Sequence, residues 1–142
     1  MKGTDVVMRR NICAMKGIVI KGRQLGRTIG FPTANLSLNS DVLSIEQGVF
    51  GVQVFRGANP YYGVMNVGRR PTLDDGLPLT SEVHLLDFNE NIYGEELGVV
   101  VCFHIRKEEK FNNLNELKQQ IDKDIAYSRE YFEKYKIIGC SV

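Results

Sequence analysis

Gly22–Arg23–Gln24–Leu25–Gly26–Arg27–Thr28 sets two glycines and an arginine ahead of a threonine, residue types that can close around a phosphate. It is not a P-loop. That motif needs four residues between its glycines and a lysine before the Ser/Thr, whereas here there are three, followed by Arg27. A P-loop also opens a helix, whose N-terminal N–H groups hold the phosphates. Gly30–Phe31–Pro32 follows instead, and proline drives the residue before it into an extended conformation. Glycines at 22, 26 and 30 still permit close approach of backbone N–H groups to an anion, with Arg27 adding a fixed charge and a planar fork of donors. An ordinary tight loop in a β protein accounts for the same residues equally well.

Other reactive side chains are sparse. His84 and His104 are the only histidines and stand apart in sequence, so a metal site built on them is not expected. Cys13, Cys102 and Cys140 are odd in number and form no C-x-x-C, which points to reduced thiols in the cytosol and not to a disulfide framework. Cys102 sits in the apolar run Val99–Val100–Val101–Cys102–Phe103 and reads as core. Glu82 lies in a strand-like segment whose alternation puts it on one side with His84 and Leu86, opposite Val83 and Leu85.

Strands and turns must position these groups. Gly17–Ile18–Val19–Ile20–Lys21, Val49 to Phe55, Tyr61 to Val67, Glu82 to Phe88 and Val99 to Ile105 read as strands. Residues 22–35 read as a glycine-rich loop, 57–60 as a turn, and 69–78, with two prolines and Asp74–Asp75–Gly76, as another. Short strands divided by such turns argue for a closed barrel, which leaves no exposed edge. The end of the chain reads as one helix. Leu114, Leu117, Ile121, Ile125, Phe132 and Tyr135 recur at steps of three and four, with one longer step across Ser128, and this stripe should lie against the barrel. Asn113 and Glu116 have the form of an N-cap with an acceptor three residues on, and Lys134 and Lys136 suit the dipole at the far end.

The chain of 142 residues is one domain's worth, 43% hydrophobic and 25% charged. A net charge of +1 gives no electrostatic case for nucleic acid or a membrane surface. No stretch approaches the roughly 20 apolar residues of a membrane span, and Arg9 and Arg10 precede no apolar signal region. Residues 1–15 are expected to form a flexible lead, 16–137 the folded domain and 138–142 a tail.

Gly30–Phe31–Pro32–Thr33–Ala34–Asn35 resembles the G-[FI]-P-T-A-N signature of the riboflavin kinase family, and three further blocks follow in order. They are Gly63–Val64–Met65–Asn66–Val67–Gly68–Arg69–Arg70–Pro71–Thr72, then Glu82 to Phe88 with Ile92–Tyr93–Gly94–Glu95, then Phe103 to Phe111 with the helix behind it. The resemblance implies a mainly β fold: a closed six-stranded Greek-key β-barrel carrying one long C-terminal helix. It implies ATP-dependent phosphorylation of the riboflavin 5′-hydroxyl, giving FMN and ADP.

The resemblance also assigns residues. Thr33 and Asn35 fall beside the Mg²⁺ of MgATP, where neutral oxygens suffice because ATP brings the charge. Glu82 falls where the family has its catalytic base. Gly22, Arg27, Thr33, Leu85 and Tyr93 fall at nucleotide-contacting positions, and Arg106, Glu109 and Phe111 where the flavin is held. Many bacterial members read G-D-G-R-G-R in the first loop, so this chain lacks the middle glycine. Bacterial members are often fused behind an adenylyltransferase domain that makes FAD. The 142 residues hold no counterpart, and FMN is the expected product of a cytoplasmic monomer acting on small molecules alone. The alternative from another class is a flavin- or FMN-sensing module without turnover. Loss of Thr33, Asn35 or Glu82 would mark it, and all three are present.

Overall fold

The computed structural model describes residues 14–20, 33–38, 47–69 and 79–135. Its six strands are β1 (Ala14–Ile20), β2 (Ala34–Leu38), β3 (Gly48–Arg56), β4 (Asn59–Arg69), β5 (Leu79–Leu85) and β6 (Glu96–Arg106). They close a barrel in the order β1-β2-β5-β4-β3-β6, every neighbouring pair antiparallel. β3, β4 and β5 form a meander and β6 returns beside β3, which is the Greek key expected from the family resemblance. Helix α1 (Leu114–Tyr135) packs on the outside.

Alternate residues of each strand fill the barrel. Met15, Val19, Leu36, Val52, Val54, Met65, Val67, Val83, Leu85, Leu97 and Val99 belong to one buried cluster, as period-two geometry requires. Met15 is 1% exposed, so β1 extends upstream of the strand read from Gly17, and its described residues begin at Ala14. The sequence reading also misses β2. Ala34 and Asn35 open this strand, in which the buried Leu36 stands between asparagine and serine. Such a composition has little strand propensity, and pairing on both flanks, to β1 and to β5, makes the strand. β5 ends at Leu85, three residues short of the expected Phe88, where Asp87 turns the chain with φ 56°. The β3–β4 turn shrinks to Gly57–Ala58, with Gly57 at φ 63° as a two-residue hairpin demands.

Two irregularities in the β3–β6 pairing decide what faces α1. Gly51 opposes Phe103 while Val52 opposes Val101, and Val49 opposes Arg106 while Phe50 opposes His104. Cys102 and Ile105 are therefore extra residues, and each bulge turns the next side chain outward. Phe103 thereby leaves the barrel interior and lies flat over Gly51, in the space any Cβ there would occupy. Its other face stacks on Tyr131 at 3.8 Å, while Tyr62 stacks on Phe132 at 3.9 Å. Cys102, as expected, is buried, in this second cluster between barrel and helix.

α1 starts where the sequence indicates. The Glu116 N–H donates to Asn113 Oδ1 at 2.9 Å, and Glu116 reaches back to accept from the Asn112 N–H at 3.2 Å. The apolar stripe is divided, however. Phe132 is buried, whereas Leu114 and Tyr135 are exposed and Leu117, Ile121 and Ile125 only half-buried. The aromatic stacks dock the C-terminal half. The N-terminal half stands away from the barrel and leaves a cleft.

Candidate active site

Strand register gathers the candidate residues. Asn35 opposes Glu82, Glu82 opposes Asn66, Asn66 opposes Val49 and Val49 opposes Arg106, forming one row across five strands. Their neighbours Val83 and Met65 point into the core, so the row lies on the outer face. Thr33, immediately before β2, donates its hydroxyl to Glu82 Oε1 at 3.1 Å. Among the described residues Glu82 Oε2 takes no hydrogen bond.

Two clefts meet at Thr33. The first, about 630 Å³, is lined by Asn35, Leu85 and Tyr93 and covered by residues 88–93. Leu85 closes its floor and belongs at the same time to the barrel core. Backbone bonds of 2.9 Å, from the Gly94 N–H to the Val19 carbonyl and from the Val19 N–H to the Glu95 carbonyl, fix this cover on one side. On the other, Arg56 donates to Glu95 at 2.8 and 2.9 Å and to Glu90 at 2.7 Å. The hydrogen bond from Arg56 holds the Glu95 carboxyl below its ordinary range, and the same carboxylates raise the Arg56 guanidinium. Tyr93 stands at the rim, 59% exposed.

The second cleft, about 700 Å³, lies between the strand row and α1. Glu82, Asn66 and His84 form its polar wall, and Leu114, Leu117 and Ile121 its apolar wall. Arg106, Glu109 and Phe111 close one end. Arg106 is tied down there, with Nε and Nη2 donating to Asp124 at 2.9–3.1 Å and Nη1 donating to the Lys107 carbonyl at 3.1 Å. Its guanidinium lies 5.7 Å from the Phe111 ring centre.

The structure thus groups Thr33, Asn35, Leu85 and Tyr93 around one cleft and Thr33, Glu82, Arg106, Glu109 and Phe111 around the other. Gly22 and Arg27, with the rest of their loop, the turn residues 70–78, Lys136 and the tail lie outside the described residues. Among the described residues no group of three His, Cys, Asp or Glu side chains converges on a metal position. No described helix is long and apolar enough to cross a membrane. Sequence reasoning overlooked Asn66 and Asp124. Asn66 is a polar residue between Met65 and Val67 in the strand-like run Tyr61 to Val67. Asp124 falls three residues after Ile121 and seven after Leu117, within the apolar stripe, and is 3% exposed. A carboxylate at such a position is a signal, because buried charge needs a partner.

Comparison with known proteins places these features in a family. Residues 10–132 match the family described as Flavokinase: Riboflavin kinase. The bifunctional riboflavin kinase/FMN adenylyltransferase of Haemophilus influenzae is 47% identical over 117 residues, covering 82% of this chain and 37% of that protein. The solved structure of a macrolide-efflux protein from Streptococcus pneumoniae aligns with TM-score 0.75 at 36% identity, over 82% of this chain and 38% of that one. Riboflavin kinase from Trypanosoma brucei aligns with TM-score 0.62 at 25% identity, over 87% of this chain and 82% of that one. The chain spans a little over a third of the Haemophilus protein. With a family match over most of its length, and a closed Greek-key barrel and C-terminal helix that follow a solved riboflavin kinase, the chain belongs to the riboflavin kinase family.

Proposed function

We propose that the chain transfers the γ-phosphoryl group of ATP to the 5′-hydroxyl of riboflavin, giving FMN and ADP. The observation that carries this reading is the hydrogen bond between Thr33 and Glu82 at the junction of the two clefts. ATP occupies the cleft of Asn35, Leu85 and Tyr93, with its phosphates toward Thr33. Riboflavin occupies the other, its ring between Phe111 and the apolar face of α1 and its 5′-hydroxyl at Glu82.

Phosphoryl transfer asks a protein mainly for alignment and charge stabilisation. Thr33 engages Oε1 of Glu82, which leaves Oε2 to accept the proton of the attacking hydroxyl. The Thr33 hydroxyl and the Asn35 amide suit Mg²⁺, a hard cation that relies on phosphates and water for most of its ligands. With Glu82 the acidic neighbour of Thr33, and no group of three His, Cys, Asp or Glu side chains converging there among the described residues, they fit a metal that arrives with ATP better than a resident ion. Magnesium carried by ATP neutralises charge on the phosphate oxygens. Both clefts are built from one chain, which supports a monomer as the working unit, and the use of ATP supports a cytoplasmic setting.

Incubation of the 142-residue chain with riboflavin and MgATP, followed by chromatography with fluorescence detection, tests the proposal. FMN is the expected product. Flavin binding without turnover would hand the site to a sensing role.

A further inference from the structure

Asp124 is the one acidic side chain of α1 that is buried, at 3% exposure, and it carries an unusual number of bonds. Its two oxygens accept from Arg106 Nε and Nη2 and from Gln120 Nε2 at 3.0 Å. Arg106 is the last residue of β6 and stands before the segment 107–111, which closes one end of the second cleft. The guanidinium distributes its remaining contacts within that segment, to the Lys107 carbonyl at 3.1 Å, to Glu109 at 3.6 Å and toward the Phe111 ring. One buried carboxylate thereby connects the stand-off half of α1, the end of β6 and the aromatic side chain at the mouth of the cleft.

We infer that Asp124 is a positioning residue for the flavin: through Arg106 it fixes the separation of α1 from the barrel and the orientation of Phe111. The inference rests on the second cleft being the riboflavin site. The geometry explains why a charge is retained in an apolar stripe. A planar guanidinium held along one edge by a carboxylate has a fixed position, and the Phe111 ring, with its centre 5.7 Å away, is oriented by attraction to that fixed charge. An apolar residue at 124 would pack against the barrel but orient nothing. Asp124 touches neither Glu82 nor Thr33 in its hydrogen bonding, so its loss acts on riboflavin binding and not on the transfer step.

Asp124→Asn keeps the volume and one acceptor oxygen but removes the charge. It is expected to raise the riboflavin KM by about tenfold or more, with kcat within about threefold of the unaltered chain and the ATP KM unchanged. Gln120→Ala removes a single donor, leaves the ion pair intact and should move the riboflavin KM in the same direction by a smaller factor. In an Arg106→Met background, Asp124→Asn should add little, because the two residues act as a unit. Amide hydrogen exchange in the ligand-free chain gives a readout independent of turnover: residues 106–111 should exchange faster in Asp124→Asn. An unchanged riboflavin KM in a folded Asp124→Asn chain overturns the inference. So does a loss of kcat that merely follows the folded fraction, with both KM values unmoved. If Asp124→Asn does not fold, Gln120→Ala decides, and an unmoved riboflavin KM there counts against the inference. Absence of FMN formation by the unaltered chain sinks the kinase reading instead, and unchanged exchange over 106–111 then overturns the tether on its own.

Discussion

Thr33 and Glu82 are 49 positions apart in the chain, yet the hydroxyl of one reaches the carboxylate of the other at 3.1 Å. β2 and β5 are neighbours in the barrel, and Asn35 sits directly opposite Glu82 in their ladder. A threonine two residues upstream therefore overhangs the carboxylate and occupies one of its oxygens. The proposed chemistry turns on the other.

Glu82→Gln keeps an acceptor for the Thr33 hydroxyl and removes only the charge. We expect kcat for FMN formation to fall at least about a hundredfold, the lower end of what general base assistance contributes, with riboflavin and ATP affinities little altered. Steady-state kinetics with flavin fluorescence titration measure both. A kcat within a few-fold of the unaltered chain would remove Glu82 from the transfer step.

Thr33 lines both clefts, so its substitution should be felt first in the use of nucleotide. Thr33→Ala is expected to raise the KM for MgATP by about 10- to 100-fold, the scale of a lost hydrogen bond to a charged group, whereas Thr33→Ser keeps the hydroxyl and stays near the original value. Riboflavin binding without nucleotide should change little. Equal ATP saturation curves for the two variants would reduce Thr33 to a turn residue.

Gly51 is covered by the ring of Phe103, which in turn stacks on Tyr131 of α1. Gly51→Ala must displace that ring and loosen the docking of the helix. Overpacking of this kind costs about 1–3 kcal/mol, to be read as a lower urea midpoint. An unchanged midpoint would mean that Phe103 can leave its stack without loss.

Arg129 on α1 donates to both oxygens of Asp87 in the turn after β5, at 3.0 and 3.1 Å. These bonds hold the Asp87 carboxyl below its ordinary value of 3.8. A carboxyl depressed in the folded state contributes stability that is present above its unfolded value and lost as the pH falls through the folded one. Arg129→Met should therefore lower the urea midpoint slightly at pH 7, and the two proteins should converge as the pH falls below 3.8 and through the depressed folded-state value. Both partners are exposed, so the gap is small, and high salt should narrow it. A gap that persists at low pH would assign the effect to lost packing.

Legibility in the sequence followed the physics of each element. β3, β4 and β6 announce themselves through β-branched and aromatic runs, and α1 through its spacing and the Asn113–Glu116 cap. β2 was hidden because its neighbours supply what its own residues lack. The face of Glu82 was readable by alternation, but which face formed the pocket was not, since that depends on where α1 docks. Docking depends in turn on the bulges at Cys102 and Ile105, which no pattern along β6 reveals. Asp124 stood in the stripe in plain view, and only its partner 18 positions upstream explains it.

The row from Asn35 through Glu82, Asn66 and Val49 to Arg106 also bears on how the molecule acquires its chemistry in time. β3 and β4 can meet through a two-residue turn, but β2 must find β5 across 40 intervening residues and β1 must find β6 across 75. Such non-local pairings carry a loop-closure cost before any contact repays it, and they are the slow steps of a β topology. Glu82 gains Thr33 only at the β2–β5 meeting, and the second cleft gains its far wall only when α1, last off the ribosome among the described elements, comes to rest on β6. A partly assembled chain therefore holds most of its core and none of its site, so recovery of FMN formation on refolding should lag behind recovery of strand content and report barrel closure itself.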